Sequence, residues 1–411
     1  MRSLSLIAFA SALAAAAGIT VATTAPPFPP PPPSLTVPVL FFGANGTGPV
    51  DSAQYLALAS NASLAGYGWQ NNAAPSNYTH GEANLLRAAS ALCAAAPSLP
   101  VFVYRHFQMA WRLFDVQRAA DDSPALAGLF LRDGDNAPGA PQCRQPIPGG
   151  GTAPLYAFVN ASAGAFWVQR VVAELAAEPP CVKAAFFDET DWSACGYSFA
   201  KDGCASISDA FRERDLLAKL PAIRGTADAL VAAGKWPIFS SKNLLAAAWA
   251  GLPADAKRPC VIPHDAYFAA LRGVGYARFY EFWMGQGPVL DAATIANALL
   301  EGAQGVGLVA RAGAGADAQC SAVCEQGSVA RSALPYALAA FLVARTSPFS
   351  YFGVSAGWYS PCWCWHAAFD EAGKCGAPLA PAARTSAYTW TRAYERCAVA
   401  VNTSAGTGSY A

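Results

Sequence analysis

The stretch Val182-Lys183-Ala184-Ala185-Phe186-Phe187 runs without a break into Asp188-Glu189-Thr190-Asp191-Trp192. The first half is largely apolar and ends on two phenylalanines, which reads as a strand buried on both faces. The second half packs three carboxylates, Asp188, Glu189 and Asp191, into four residues. Charges of one sign cannot be taken into a sheet interior without partners, so they mark the strand's end. In a barrel of parallel strands, that end is where chemistry is placed.

Outward from this strand, apolar strand-like runs alternate with helical patterns. The spacing predicts strands at Val37–Phe42, Leu99–Tyr104, Val182–Phe187, Trp236–Ser240, Tyr276–Phe282, Gly305–Ala310 and Phe349–Phe352. A further strand, third in order, is expected at Leu126–Leu131 or else at Leu155–Val159. Helices are expected at Glu82–Ala95, Ala163–Glu178, Asp209–Ala233 with a break at Pro221, Tyr267–Arg272, Asp291–Glu301 and Ala333–Arg345. Strand–helix alternation implies βαβ units and a parallel sheet. About eight such units imply closure into a single (β/α)8 TIM barrel. An open doubly wound sheet is the alternative. It would want a Gly-rich phosphate loop after the first strand, and Gly43-Ala44-Asn45-Gly46-Thr47-Gly48 resembles one only superficially.

The 411 residues carry 27 Lys and Arg against 27 Asp and Glu, so the chain lacks the basic excess that nucleic acid demands. Arg2, the apolar run Leu4 to Ala17 and the small residues Ala22 and Ala25 read as a signal peptide over 1–25, with a single N-terminal membrane anchor as the alternative. Pro26 to Pro33 lies in an extended proline-rich linker, 26–34, and the barrel domain is expected over 35–411. No later segment holds the roughly 18 uninterrupted apolar residues of a membrane span. Five Asn-x-Ser/Thr sequons, at Asn45, Asn61, Asn77, Asn160 and Asn402, accompany twelve cysteines. Together they point to secretion, N-glycosylation and disulfides. Cys195 with Cys204 and Cys320 with Cys324 are near enough to pair locally. Cys362 and Cys364 are expected to bond elsewhere, with Cys375 or Cys397 as partners. A zinc site is the alternative for these cysteines, disfavoured by only four histidines and by the secreted context.

Several positions can carry chemistry. Strand alternation allows only one of Asp188 and Glu189 to face a barrel mouth, and Asp188 is the inward choice. Asp191 follows as a neighbour or a contact for a sugar hydroxyl. Each of these carboxylates has a bland reading as a cap of the next loop or helix. Glu281, in Arg278-Phe279-Tyr280-Glu281-Phe282-Trp283, lies at the end of the sixth strand, with an ion pair to Arg278 or Arg311 as its structural alternative. Two carboxylates are what glycoside hydrolysis uses, one as acid and one as nucleophile or base. Tyr280 and Trp283 offer flat faces for sugar stacking.

Arg105 is expected to hold Asp188 ionised or to bind substrate, and His106 reads as a structural histidine. Ser240-Ser241-Lys242-Asn243 is a polar strand end, with Asn243 the candidate for substrate hydrogen bonds. Arg132-Asp133-Gly134-Asp135-Asn136 reads as a turn rather than a calcium loop, because the remaining ligands are missing. His264-Asp265 is a weaker loop candidate. The cluster Trp358, Trp363, Trp365 and His366 reads equally as a wall of the mouth or as a disulfide-pinned mini-core. There is no Gly-x-Ser-x-Gly elbow, no His-Glu-x-x-His pair and no Gly-x-x-x-x-Gly-Lys-Ser/Thr loop, and no cofactor or metal is called for.

These residues resemble a group of secreted, largely uncharacterised glycoside-hydrolase-like TIM-barrel proteins. The likeness rests on Val101-Phe102-Val103-Tyr104-Arg105, Gly128-Leu129-Phe130-Leu131, Ala185 to Trp192 and Pro237-Ile238-Phe239-Ser240. Towards the C-terminus it rests on Ser347 to Gly353, Gly357-Trp358-Tyr359 and Tyr388-Thr389-Trp390-Thr391-Arg392. The resemblance implies carbohydrate as the ligand and an aspartate closing the fourth strand. Relatives similar to the α-galactosidase clan add a second carboxylate after the sixth strand, which places Asp188 and Glu281 in those roles. The pattern of a nucleophile after the seventh strand does not fit, because Gly305 to Ala310 is followed by Arg311. The expectation is therefore a glycoside hydrolase on an extracellular or cell-wall glycan, with Arg105 and Asn243 orienting the substrate and Trp283, Tyr280 and Trp358 contacting it. The alternative is a non-catalytic carbohydrate-binding protein on the same barrel, held by Trp283 and the Trp358 to Trp365 loop.

Overall fold

The computed structural model describes residues 26, 29–31, 37–45, 53–71, 81–147, 151–190, 204, 206–241, 262, 264–280, 292–313, 329–355 and 363–411. Eight parallel strands run in the order β1 (Leu40–Asn45), β2 (Leu64–Asn71), β3 (Val101–His106), β6 (Val182–Asp188), β7 (Trp236–Ser241), β8 (Ala277–Tyr280), β9 (Gly307–Gly313) and β10 (Ser350–Ser355). A parallel bridge between Val39 and Phe352 joins the last strand to the first. The Phe352 amide donates to the Pro38 carbonyl at 2.9 Å. Helices lie between the strands, so the architecture is the (β/α)8 barrel. The two remaining strands before β6, β4 (Arg144–Pro146) and β5 (Thr152–Pro154), form a small antiparallel hairpin in the long excursion after β3.

The helices α1 (Ala53–Ala59), α2 (Gly81–Ala95), α3 (Asp115–Asp121), α4 (Ala161–Phe166), α5 (Val172–Ala177), α6 (Asp209–Ala218) and α7 (Leu220–Ala232) precede β7. In α2, Leu85, Ala88, Ala89 and Leu92 are buried, the one-sided stripe of a helix on a sheet. The break between α6 and α7 falls at Lys219-Leu220-Pro221, as the proline implies. The outer layer is completed by α8 (His264–Ala270), α9 (Ala292–Gly302), α10 (Val329–Ala344) and α11 (Ala367–Gly373).

Four phenylalanines plug the barrel. Phe186 stacks on Phe279 with centroids 4.3 Å apart, Phe102 meets Phe279 at 6.2 Å, and Phe42 meets Phe102 and Phe279 at 6.2 and 5.9 Å. This fixes which side of each strand faces the axis, because side chains alternate. Gly66 makes room for the plug. A Cβ there would lie 1.8 Å from Cζ of Phe102. Gly66→Ala is expected to destabilise by about 1–3 kcal/mol through overpacking, read as a lowered denaturation midpoint.

The strand at Leu64–Asn71 was not expected, and neither Leu126–Leu131 nor Leu155–Val159 is a barrel strand. Pro124–Leu129 is a 3-10 turn, and Leu155 and Tyr156 make only single bridges, to Met109 and Phe130. The two errors cancel in the count, so Asp188 still closes the fourth strand of the barrel.

After β10 the chain builds a four-stranded antiparallel sheet that the sequence reading did not foresee. It comprises β11 (Ala383–Arg384), β12 (Thr389–Ala393), β13 (Ala398–Asn402) and β14 (Thr407–Tyr410). Alternating Trp390 and Arg392, then Val399 and Val401, are buried. Arg392 Nη1 donates to the Leu342 carbonyl at 3.2 Å and also reaches that of Arg345, so it caps the C-terminal end of α10. Tyr394 Oη donates to the Leu342 carbonyl at 2.7 Å.

Cysteines pair as Cys93–Cys181, Cys143–Cys204 and Cys375–Cys397 among the described residues. Cys204 therefore does not pair with Cys195. Cys375 and Cys397 bond each other rather than Cys362 or Cys364. Cys320 and Cys324 lie outside the described residues, as do residues 1–25 and Asn77. Among the described residues no helix is long and apolar enough to cross a membrane.

Candidate active site at the mouth of the barrel

The ends of β3 and β6 carry the chemistry. Phe102 faces the axis, so Tyr104 and His106 face it too, two and four residues further up the strand. On β6 the same alternation takes Phe186 to Asp188. The two strands are in register, with Tyr104 opposite Phe186 and His106 opposite Asp188. Tyr104 Oη donates to Asp188 Oδ2 at 3.0 Å, and the Glu189 amide donates to Asp188 Oδ1 at 2.8 Å. Both carboxylate oxygens are thus held, directly above the phenylalanine plug. Asp188 is only 8% exposed.

Glu189 departs from the strand. Its φ is +56°, in the left-handed region that non-glycine residues rarely enter. The turn carries its carboxylate back to the axial side, where Oε2 lies 3.5 Å from Nε2 of His106. The expectation that alternation bars Asp188 and Glu189 from facing the mouth together is corrected, because the strand ends at Asp188. Thr190 continues the turn. Its amide donates to Ser240 Oγ at 3.1 Å, and its hydroxyl accepts from Tyr267 Oη at 3.0 Å. On the far side, Arg311 lies over the Phe42 ring, 5.1 Å from its centroid, and Nε donates to Ser355 Oγ at 2.6 Å.

Arg105 is not part of this group. It sits between inward Tyr104 and His106, so its side chain leaves the barrel towards the helices. There it is fully buried, donates to Glu82 and Glu178, and stacks over Phe114. Neither of the donors on Asp188 named above is Arg105, and its assignment to substrate is corrected. Tyr280 is buried at the end of β8. Its neighbour Phe279 takes the axial side, which turns Tyr280 outward with Arg278. Arg278 stacks on Tyr267 and lies 3.8 Å from Glu301.

Asp191, Asn243, Glu281, Trp283 and Trp358 lie outside the described residues. His264 and Asp265 open α8. Trp363 is buried against the outer face of β1, its ring 5.2 Å from Phe41 and its Nε1 donating to the Leu40 carbonyl at 3.1 Å. For Trp363 that is the mini-core arrangement. Asp133 to Asn136 is a tight turn, as expected. Asp133 and Asp135 accept from the Ser206 and Ser208 amides at 2.8 and 2.6 Å. Among the described residues no group of three His, Cys, Asp or Glu side chains is arranged to hold a metal ion.

Tyr104 and Lys219 were not assigned roles from sequence, and Ser240, part of a polar strand end expected to suit substrate hydrogen bonds, accepts from the Thr190 amide. Tyr104 was within reach, because the period-two rule that makes Phe102 axial makes Tyr104 axial as well. Lys219 carried no sequence signal beyond its place at the proline break.

Residues 307–398 match the family model described as hypothetical glycosyl hydrolase family 15. The matched segment begins at β9, takes in α10, β10 and α11, and ends at the start of β13. No curated protein sequence matches the chain. Among solved structures, an α-galactosidase from Thermus thermophilus, in complex with p-nitrophenyl α-D-galactopyranoside, aligns over 90% of this chain and 67% of its own, at 11% identity and a TM-score of 0.44. Ega3 of Aspergillus fumigatus, in complex with galactosamine, aligns over 83% of this chain and 99% of its own, at 9% identity and a TM-score of 0.42. A Flavobacterium johnsoniae dextranase complexed with glucose aligns over 84% of this chain at 10% identity and a TM-score of 0.44, but over only 39% of its own length. The chain likewise spans 59% of an aligned GH13_31 enzyme.

Proposed function

We propose that the protein is a glycoside hydrolase acting on an extracellular or cell-wall glycan, with Asp188 as nucleophile or base. The observation that carries this reading is the Asp188 carboxylate at the end of the fourth barrel strand, fixed by Tyr104 Oη and the Glu189 amide. A preset carboxylate above an apolar floor suits attack at, or stabilisation of, an oxocarbenium-like carbon. The glycosyl hydrolase family match over 307–398 supports the same class.

Glu281 is the proposed general acid. It is the residue that follows Tyr280, the last residue of the sixth barrel strand. Asp191 is the further proposed carboxylate, with Asn243, Trp283 and Trp358 as substrate contacts. Hydrolysis then needs protonation of the glycosidic oxygen by the acid as its bond to the anomeric carbon breaks. Asp188 either bonds to that carbon or takes a proton from the attacking water. Secretion with a cleaved signal is part of the proposal, supported by Cys93–Cys181, Cys143–Cys204 and Cys375–Cys397.

The test is release of reducing ends or aryl groups from a broad panel of polysaccharides and aryl glycosides by the purified protein. Turnover of at least one class is expected. No turnover, with binding retained on a glycan array, would replace the enzyme by a carbohydrate-binding protein on the same barrel.

A further inference from the structure

The left-handed residue at 189 asks for an explanation. A non-glycine residue in that region costs on the order of 1–3 kcal/mol and persists only where its surroundings enforce it. Here the enforcement comes from three directions. Lys219, wholly buried at the α6–α7 break, donates from Nζ to the Glu189 carbonyl at 3.3 Å. His106 Nε2 faces the Glu189 carboxylate. The following amide, of Thr190, is tied to Ser240.

Two details make this more than packing. The Met109 amide donates to His106 Nδ1 at 3.1 Å, so a neutral imidazole carries its proton on Nε2, the nitrogen that faces Glu189. A buried lysine is costly unless its ammonium is satisfied. Lys219 has the Phe158 ring 5.5 Å away, Asp215 one turn earlier on α6, and the Glu189 carbonyl. Its ammonium reaches the carbonyl of the left-handed residue from another element. Such a bond is an effective way to hold a turn.

We infer that His106 and Lys219 are positioning residues of the Asp188 site. They act through Glu189. Lys219 holds the turn that aims the Glu189 amide at Asp188 Oδ1. His106 holds the Glu189 carboxylate beside it on the axial side. The inference rests on the reading of Asp188 as the group that does the chemistry, and it adds residues from α6–α7 and β3 to that site.

The test has two independent readouts. Nitrogen-15 NMR of the histidines, four in the chain, reports the tautomer directly. His106 is expected to show the Nε2–H form, and its resonances are expected to move in Lys219→Met and in Glu189→Gly. The glycine variant accepts a positive φ without strain, so it separates loss of the carboxylate from loss of the turn. An Nδ1–H tautomer, or resonances unmoved by both variants, overturns the inference whether or not any glycoside is turned over. On whichever aryl glycoside the wild type hydrolyses, Lys219→Met is expected to lower kcat roughly ten- to hundred-fold, the scale of a misplaced catalytic group, with KM little changed. Lys219→Arg is expected to restore part of it. Unchanged kcat in a folded Lys219→Met overturns the positioning role. Absence of wild-type turnover on every glycoside, with the NMR result as expected, would instead remove the glycosidase reading and leave the positioned turn.

Discussion

Arg105→Met is expected to cost about 3–5 kcal/mol of stability, the usual penalty for removing one partner of a buried ion pair. The guanidinium is wholly buried, and Glu82 and Glu178, which it pairs, are themselves 5% and 8% exposed. Without it, two buried carboxylates lose their cation, and Lys235 is the nearby charge left to Glu178. The loss is expected to depend on pH. Burial, and then repulsion from Glu82, already pushes Glu174 up to about 7, and burial raises Glu178 as well, against the opposing pull of Arg105. Carboxylates whose folded values lie above the unfolded value of 4.5 bind more protons when folded, so stability falls as pH rises from there to about 7. Removing Arg105 raises both groups further and carries that decline to higher pH. Thermal melts should therefore show the smallest deficit near pH 5 and the largest near pH 8. A deficit constant with pH would mean that packing over Phe114, not charge, is what Arg105 supplies.

The largest expected effect on activity is that of Asp188→Asn. The amide keeps the size of the side chain, its oxygen can still accept from the Glu189 amide and its NH2 can donate to Tyr104 Oη, so the barrel should fold normally. It removes the negative charge that nucleophile or base needs, and kcat is expected to fall by roughly 10²–10⁴-fold, the contribution of a positioned acid/base group. Because the group acts in the transition state, KM should change little. Tyr104→Phe should have a smaller effect, since the Glu189 amide still holds Oδ1.

The route from sequence to this site was uneven, for physical reasons. Asp188 was legible because an apolar strand that ends in carboxylates leaves few choices. The strand at Leu64–Asn71 escaped because Ala65-Gly66-Tyr67-Gly68 has the composition of a loop. Its Gly66 is there to admit the Phe102 ring, a requirement set by a distant strand. Arg105 was placed at the mouth for its chemistry, although alternation from Phe102 already turned it away. Glu189 was set aside by that same alternation rule, which holds only while the backbone stays extended. No local pattern announces a left-handed residue enforced by Lys219 from another element. The pairing of Cys143 with Cys204 has the same character, since it depends on where the excursion after β3 meets the segment before α6.

The most direct test of the central claim is covalent. Cyclitol and glycosyl epoxides form esters, as the epoxide C–O bond opens, with a catalytic carboxylate positioned to attack the anomeric centre or to deprotonate the water that attacks it. After incubation with a panel of such reagents, digestion and mass spectrometry locate the modified peptide. The account predicts one equivalent of label on the peptide carrying Asp188, protected by the substrate found in the hydrolysis panel and absent in Asp188→Asn. Label confined to another carboxylate, or label on Asp188→Asn equal to that on the wild type, would contradict it.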